Sequence, residues 1–330
     1  MGELKWLLVG AGDIARKRVA AALDQAAGSQ LVGVCDVQAD SARALAALHA
    51  AAEVYTDLGE ALRATAAEAV YVATPVGLHV PQAVAALESG RHVLVEKPLG
   101  LDAAQCEAAA AAARQNPRTA GCAYFRRLYP AYRQAREMLE RGEFGRVVLV
   151  RMAYYSWFAS RSDDPKPWRV TRGQGGGGPL FDMGSHMFDV LLGLLGMPAT
   201  VFARAANLVH PWEVEDTASV LMTMPDGAQV SGQFGWSSQT WRHELEIVGT
   251  QAKVCWHPFD SGTVVKTVGR QVEELELPPA ANVHLPLVED FVEAVRQARE
   301  PACSLAEAAR TNVVLDAVLR SSRERREVVL

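Results

Sequence analysis

Cysteine is scarce and scattered in this chain. Its five thiols, Cys35, Cys106, Cys122, Cys255 and Cys303, form neither a Cys-x-x-Cys pair nor an evenly spaced framework. That spacing argues against a cysteine zinc site or a disulfide-stapled scaffold, and it predicts reduced thiols in a cytoplasmic protein. No run approaches the roughly 18 apolar residues of a membrane span. The apolar stretch near the start covers only residues 6–9, too short for the core of a signal peptide, and reads as a strand. A basic surplus is missing as well. The formal net charge is −5, which gives no general attraction to nucleic acid or to an anionic membrane. The basic stretch 320–326 is interrupted by Glu324 and followed by Glu327, so it reads as a solvated helix end. The eight histidines form no His-x-x-x-His pair or Cys-His cluster, and no metal site is expected.

What is present is ordinary for a globular protein: 49% hydrophobic and 22% charged residues. A length of 330 residues suits two domains. Residues 1–122 alternate short apolar runs with alanine-rich helical stretches. Strands are expected at 4–9, 31–35, 69–73, 92–95 and 119–122, with helices near 13–27, 40–51, 80–89 and 102–115. Asp40 and Asp102 are expected N-caps and Gly90 a C-cap. This alternation builds a parallel sheet covered by helices on both faces. From residue 123 the rhythm changes. A helix (130–141), a long alternating strand (146–156), a loop rich in Arg, Asp, Pro and Gly (157–178) and a helix (179–195) come first. Strands follow at 201–206, 217–224, 228–236, 243–248, 253–257 and 272–277, and helices at 286–299 and 305–323. Strands without intervening helices imply a mostly antiparallel sheet, so 123–330 is expected to be an α+β domain.

Three motifs carry the chemistry. Gly10-Ala11-Gly12-Asp13-Ile14-Ala15 lies between a strand and a helix, as a dinucleotide fingerprint requires. Gly10 permits the tight turn, Gly12 lets a pyrophosphate approach the backbone, and Ala15 stays small enough for helix–strand packing. Asp36, 26 residues past Gly10 at the end of the second strand, suits a ribose diol and would repel a 2′-phosphate. NAD is therefore expected over NADP. Thr74, Pro75 and His79 follow the expected strand 69–73 at the edge where ligands of such sheets gather. Glu96-Lys97-Pro98 follows the expected strand 92–95. Lys97 can stabilise an alkoxide or bond a substrate hydroxyl, and Glu96 can orient it or touch the nicotinamide ribose. The alternative is a surface Glu-Lys pair before a turn. Asp182 and His186 stand four apart on an expected helix and share a face. His186 has the right pKa to take a hydroxyl proton, with Asp182 orienting it. The alternative is a helix N-cap and a core histidine. Gly175 to Gly178 reads as a flexible lead-in to that helix.

Together these residues resemble the glucose-fructose oxidoreductase / inositol dehydrogenase / MocA (Gfo/Idh/MocA) family. The stretch TPVGLHVPQAVAALESGRHVLVEKPLG (74–100) is similar to the family's segment leading into its lysine loop. GGGGPLFDMGSHMFDVLLGLLG (175–196) is similar to its active-site helix, and Glu215-Asp216-Thr217-Ala218 to the start of its sheet. The resemblance implies an N-terminal Rossmann domain, and a C-terminal domain whose open sheet forms homodimer or homotetramer contacts. It implies that Lys97, Asp182 and His186 are the catalytic residues, facing an interdomain cleft, and that Arg127 reaches the cofactor or the substrate; Trp168, in the loop before the helix, is a candidate substrate contact. The expected activity is NAD(P)-dependent hydride transfer at a CH–OH carbon of a sugar, polyol or related cyclic compound. The rivals are an NAD-dependent glycosidase, a cofactor-binding sensor, and a reductase of a non-sugar ring.

Overall fold

The computed structural model describes residues 2–159 and 167–330. The chain divides into two compact units, Met1–Phe125 with Ala280–Ala309 and Arg126–Pro279 with Arg310–Leu330. The first crossing thus falls three residues beyond the expected boundary, and 280–309, expected in the second domain, belongs to the first unit. The reason is packing: Phe291 lies 5.3 Å from the ring of Trp6, and Leu287, Val288 and Val292 are buried beside it in sequence.

The first unit holds a six-stranded parallel sheet: β1 (Leu4–Val9), β2 (Ser29–Cys35), β3 (Glu53–Tyr55), β4 (Ala69–Val72), β5 (His92–Val95) and β6 (Ala120–Cys122). Their order is β3-β2-β1-β4-β5-β6. All four residues of β4 are buried, the mark of a strand covered on both faces. The chain reverses direction across the sheet between β1 and β4, and the loops after β1, β2, β4 and β5 leave from one edge. β3 and the helix Leu58–Ala64 were not legible as periodic signals, because each is short. Asp57 caps that helix by accepting from the Glu60 amide at 2.7 Å. Asp102 caps its helix as expected, accepting from Gln105. Asp40 does not cap: the helix Ala39–Leu48 starts one residue earlier, which leaves Asp40 in the first turn, paired with Arg43. Gly90 takes the left-handed C-cap conformation (φ +80°).

Among the described residues the second unit holds nine strands: β7 (Val147–Trp157), β8 (Thr200–Ala206), β9 (Thr217–Thr223), β10 (Gln229–Gly235), β11 (Ser237–Gly249), β12 (Ala252–Trp256), β13 (Thr263–Val268), β14 (Gln271–Glu276) and β15 (Val328–Val329). Their order is β14-β13-β12-β11-β7-β10-β9-β8-β15, antiparallel except for the pair β7–β10. One face, with Val150, Met152, Val220, Met222 and Phe234, is buried in a core with Met187, Phe188 and Leu191 of the helix Ser185–Leu195. The other face leaves Leu149, Arg151 and Leu221 exposed. Among the described residues no helix is long and apolar enough to cross a membrane.

Candidate active site

The turn after β1 has the geometry its glycines promise. Gly10 sits at φ +96°, and a Cβ there would lie 2.6 Å from the Ala73 carbonyl oxygen, so only glycine fits. At Gly12 a Cβ would meet nothing within 4 Å: this stretch of backbone faces open space, as a cradle for phosphate must. Ala15 is fully buried at the start of the following helical segment. Asp13 pairs with Lys17 one turn on (2.9 Å), and Ile14 is half-buried between them in sequence. At the end of β2 the Asp36 carboxylate accepts from the Ala11 amide at 2.7 Å and the Gln38 amide at 2.8 Å. It is thereby held beside the glycine turn, where an adenosine ribose requires an acceptor. The residues present fit a dinucleotide.

The loops after β4 and β5 are tied together. Thr74 and Pro75 are half-buried, and the Thr74 hydroxyl donates to Gln82. His79 does not line an open wall: it is 1% exposed, with Nε2 2.8 Å from the Thr74 carbonyl and Nδ1 2.8 Å from the Pro98 carbonyl. Burial lowers its pKa, against the opposing pull of the two carbonyls and Glu96. Glu96 is also interior. One oxygen accepts from the Tyr71 hydroxyl (2.8 Å) and lies 2.9 Å from His284 Nε2, and the other accepts from the Lys97 amide (3.3 Å). Burial raises its pKa, but His284, Tyr71 and Lys97 outweigh that and hold it below the usual carboxylate value. Glu96 therefore braces the Lys97 backbone from the interior. The Lys97–Pro98 bond is cis, and Lys97 is half-buried.

In the second unit the run of glycines is a packing device, not a flexible lead. A Cβ on Gly175 would strike the Trp168 carbonyl at 2.8 Å, one on Gly176 or Gly177 the Phe181 ring, and one on Gly178 the Glu215 carbonyl oxygen. The helix they precede opens with a wide π-type turn, Leu180–Gly184, and continues as Ser185–Leu195. Asp182 lies on the first turn and His186 on the next. His186 is 2% exposed, and the Asp182 carboxylate stands 3.6 Å from the Arg169 guanidinium. Trp168 is half-buried, with the same guanidinium 5.6 Å from its ring. The rest of the expected loop, residues 160–166, lies outside the described residues. Arg127 is 8% exposed and makes a buried ion pair with Asp189, its Nε 3.0 Å from both carboxylate oxygens. It anchors the helix one turn past His186.

Several residues near Asp182 carried no sequence signal beyond strand alternation. Tyr154, on the inner face of β7, is close enough for the Asp182 charge to raise its pKa, after burial the larger cause. Its ring packs edge-on against His243 at 5.3 Å. Arg126 binds Asp260 through two 2.7 Å hydrogen bonds, and Asp260 lies 3.5 Å from His243 Nδ1. The Arg126–Asp260 pair joins residues 134 positions apart and is invisible to local spacing.

Residues 4–124 match the NAD-binding Rossmann-fold domain of the Gfo/Idh/MocA oxidoreductases, and residues 132–255 match the C-terminal domain of the same family. The chain belongs to the Gfo/Idh/MocA oxidoreductase family. It is 30% identical over 264 residues to the trans-1,2-dihydrobenzene-1,2-diol dehydrogenase of Mus musculus, covering 78% of this chain and 77% of that one. It is 30% identical over 251 residues to the D-glucoside 3-dehydrogenase of Escherichia coli, covering 75% of this chain and 66% of that one. Among solved structures, a levoglucosan dehydrogenase in complex with NADH superposes with a TM-score of 0.91 at 20% identity, covering 99% of both chains. This family member is thus an NAD-binding oxidoreductase with sugar dehydrogenases among its relatives.

Proposed function

We propose that the protein oxidises a CH–OH group of a sugar, a polyol or a related cyclic hydroxy compound, or reduces the corresponding carbonyl, using NAD. The observation that carries this reading is the order of loops at one sheet edge. The glycine turn, Asp36, Thr74 and Lys97 follow β1, β2, β4 and β5, and β2-β1-β4-β5 are consecutive strands. That order supports a reading with Lys97 on the nicotinamide side of the switch point and Asp36 on the adenosine side.

The Gly10–Ala15 turn and the helix it opens would hold the pyrophosphate, and Asp36 the adenosine ribose. A bound nicotinamide supplies the hydride acceptor or donor at its C4. The chain's own residues handle the proton and the charge. His186 takes the hydroxyl proton during oxidation and returns it during reduction. Lys97 stabilises negative charge on the reacting oxygen. Asp182, paired with Arg169, orients the imidazole or accepts a second substrate hydroxyl. The named relatives act on a glucoside and on a cyclic diol, which supports a ring carrying neighbouring hydroxyls.

The test is a panel of sugars, inositols and cyclic diols, each assayed with NAD and with NADP by the absorbance of the reduced cofactor. Turnover is expected with NAD. Lys97→Met and His186→Asn should each lower kcat by about 10²–10⁴-fold while cofactor affinity, read by fluorescence titration, stays close to wild type. Undiminished turnover in both variants would overturn the assignment, and glycoside cleavage without net NADH would replace it. We also propose self-association through the open face of the second sheet, where Arg151, Tyr155, Phe202, Arg204 and Arg242 line a cavity of about 520 Å³. Sedimentation velocity should show a dimer or tetramer; a monomer at micromolar concentration would sink this.

A further inference from the structure

The helix that carries Asp182 and His186 begins without a cap of its own. Its N-terminal neighbours are glycines, Pro179 at the N-cap position has no amide hydrogen, and no side chain caps that turn locally. The first amides of a helix have no partner within it, so they must be satisfied from elsewhere. Here one distant side chain does so. Glu215 Oε1 accepts from the Gly178 amide at 2.9 Å and from the Leu180 amide at 3.3 Å. The Gly178 carbonyl, in turn, accepts from the amides of Phe181 and Asp182, both at 3.1 Å. A chain of bonds therefore runs from Glu215 to the backbone of Asp182.

Glu215 is itself fixed. The next residue, Asp216, gathers the amides of Leu208, Val209 and His210 on its carboxylate and accepts from Thr217. Glu213, on the other side, accepts from the Arg172 amide at 3.0 Å. Contact closes the arrangement, since any side chain at Gly178 would overlap the Glu215 carbonyl. The Glu215 residue is 4% exposed, and among the described residues its second oxygen, Oε2, is buried with no hydrogen-bond partner. Burial is also the main reason its pKa is raised.

We propose that Glu215 is a positioning residue: it caps the helix in trans and so sets where Asp182 and His186 stand. The cap works through acceptor geometry, one oxygen shared by two amides, and not through net charge. The idea rests on the reading of Asp182 and His186 as the acid–base pair, but the cap itself can be tested without any substrate.

Hydrogen–deuterium exchange of residues 176–186 reads the cap directly. Glu215→Gln keeps an acceptor oxygen and should retain wild-type protection there. Glu215→Ala should lose protection in that segment while β9 and β10 keep theirs. If the alanine variant does not fold, Glu215→Asp, one methylene short of reach, takes its place. On a substrate from the panel, the alanine or aspartate variant should lose roughly 10–10²-fold in kcat, the effect of a small misplacement of catalytic groups. Cofactor affinity should hold, and glutamine should recover most of the turnover. A folded alanine variant with wild-type protection and kcat would overturn the proposal, as would a glutamine variant as impaired as alanine. Lack of turnover by the wild type would count against the function, and the exchange data would still decide the cap.

Discussion

The buried ionisable groups of Arg127, Asp189, Glu96 and His243 meet different neighbours, and the nature of those neighbours sets their behaviour. Arg127 and Asp189 meet as a bidentate pair with neither group exposed beyond 8%. Leaving either charge alone there would cost about 3–5 kcal/mol. Glu96 stays ionised because His284, Tyr71 and Lys97 surround it. His243 shows the opposite case. Packed among Tyr154, Trp241 and Phe259, it is pushed by burial down to about 4, with only Asp260 pulling the other way. The folded state therefore favours the neutral ring. As pH falls below the unfolded value of about 6.5, the unfolded chain takes up a proton that the folded chain refuses. Stability is lost through that window until about pH 4, where the folded ring is also protonated. The loss amounts to roughly 3 kcal/mol. His243→Phe should flatten the pH dependence between 6.5 and 4 by that amount, read by urea denaturation at a series of pH values. Parallel curves for the two proteins would show that His243 is not held neutral.

At the scale of elements, the helix bearing Asp182 and His186 is placed by close approach more than by its own sequence. Glycines from 175 to 178 let backbone and the Phe181 ring come within a distance that any side chain would block. Gly178→Ala tests this. Its methyl group would overlap the Glu215 carbonyl, so the strand segment or the helix must move. Overpacking of this kind costs about 1–3 kcal/mol, and the shifted helix should lower kcat more than it raises the cofactor dissociation constant. Thermal unfolding and steady-state kinetics on the same preparation would check both. Gly173→Ala, where a Cβ meets nothing within 4 Å, is the matched control and should leave both close to wild type.

At the scale of the whole molecule, the chain leaves its first unit at residue 125 and comes back to it at 280. The returning segment is not an appendage. Leu287, Val288, Phe291 and Val292 are buried at 3% exposure or less, and Cys303 pairs its carbonyl with the Cys122 amide at 2.9 Å. Each such apolar side chain contributes about 1.5–3 kcal/mol, and four of them rival the roughly 5–15 kcal/mol that holds a domain together. Residues 2–125 alone should therefore lack a cooperative thermal transition by circular dichroism. The same residues joined to 280–309 by a short glycine-serine linker should regain one. Cooperative melting of the shorter fragment would refute the dependence.

Local periodicity and turn chemistry carried much of this protein in the sequence alone. The apolar runs of β1, β4 and β5, the glycine turn and Asp36 could be read directly, because strand burial and phosphate approach impose residue types at fixed short spacings. The positions of Lys97 just after β5 and of Asp182 and His186 four apart at the start of a helix were legible too, as candidates for chemistry. Long-range contact decided the rest. Only tertiary packing turned Glu96 and His79 inward as braces, committed Arg127 to Asp189, made the glycine run a contact surface, and brought Glu215 to the start of the helix. These choices depend on which distant segments meet, and burial then dictates which polar groups must be satisfied there; no window along the chain contains that information.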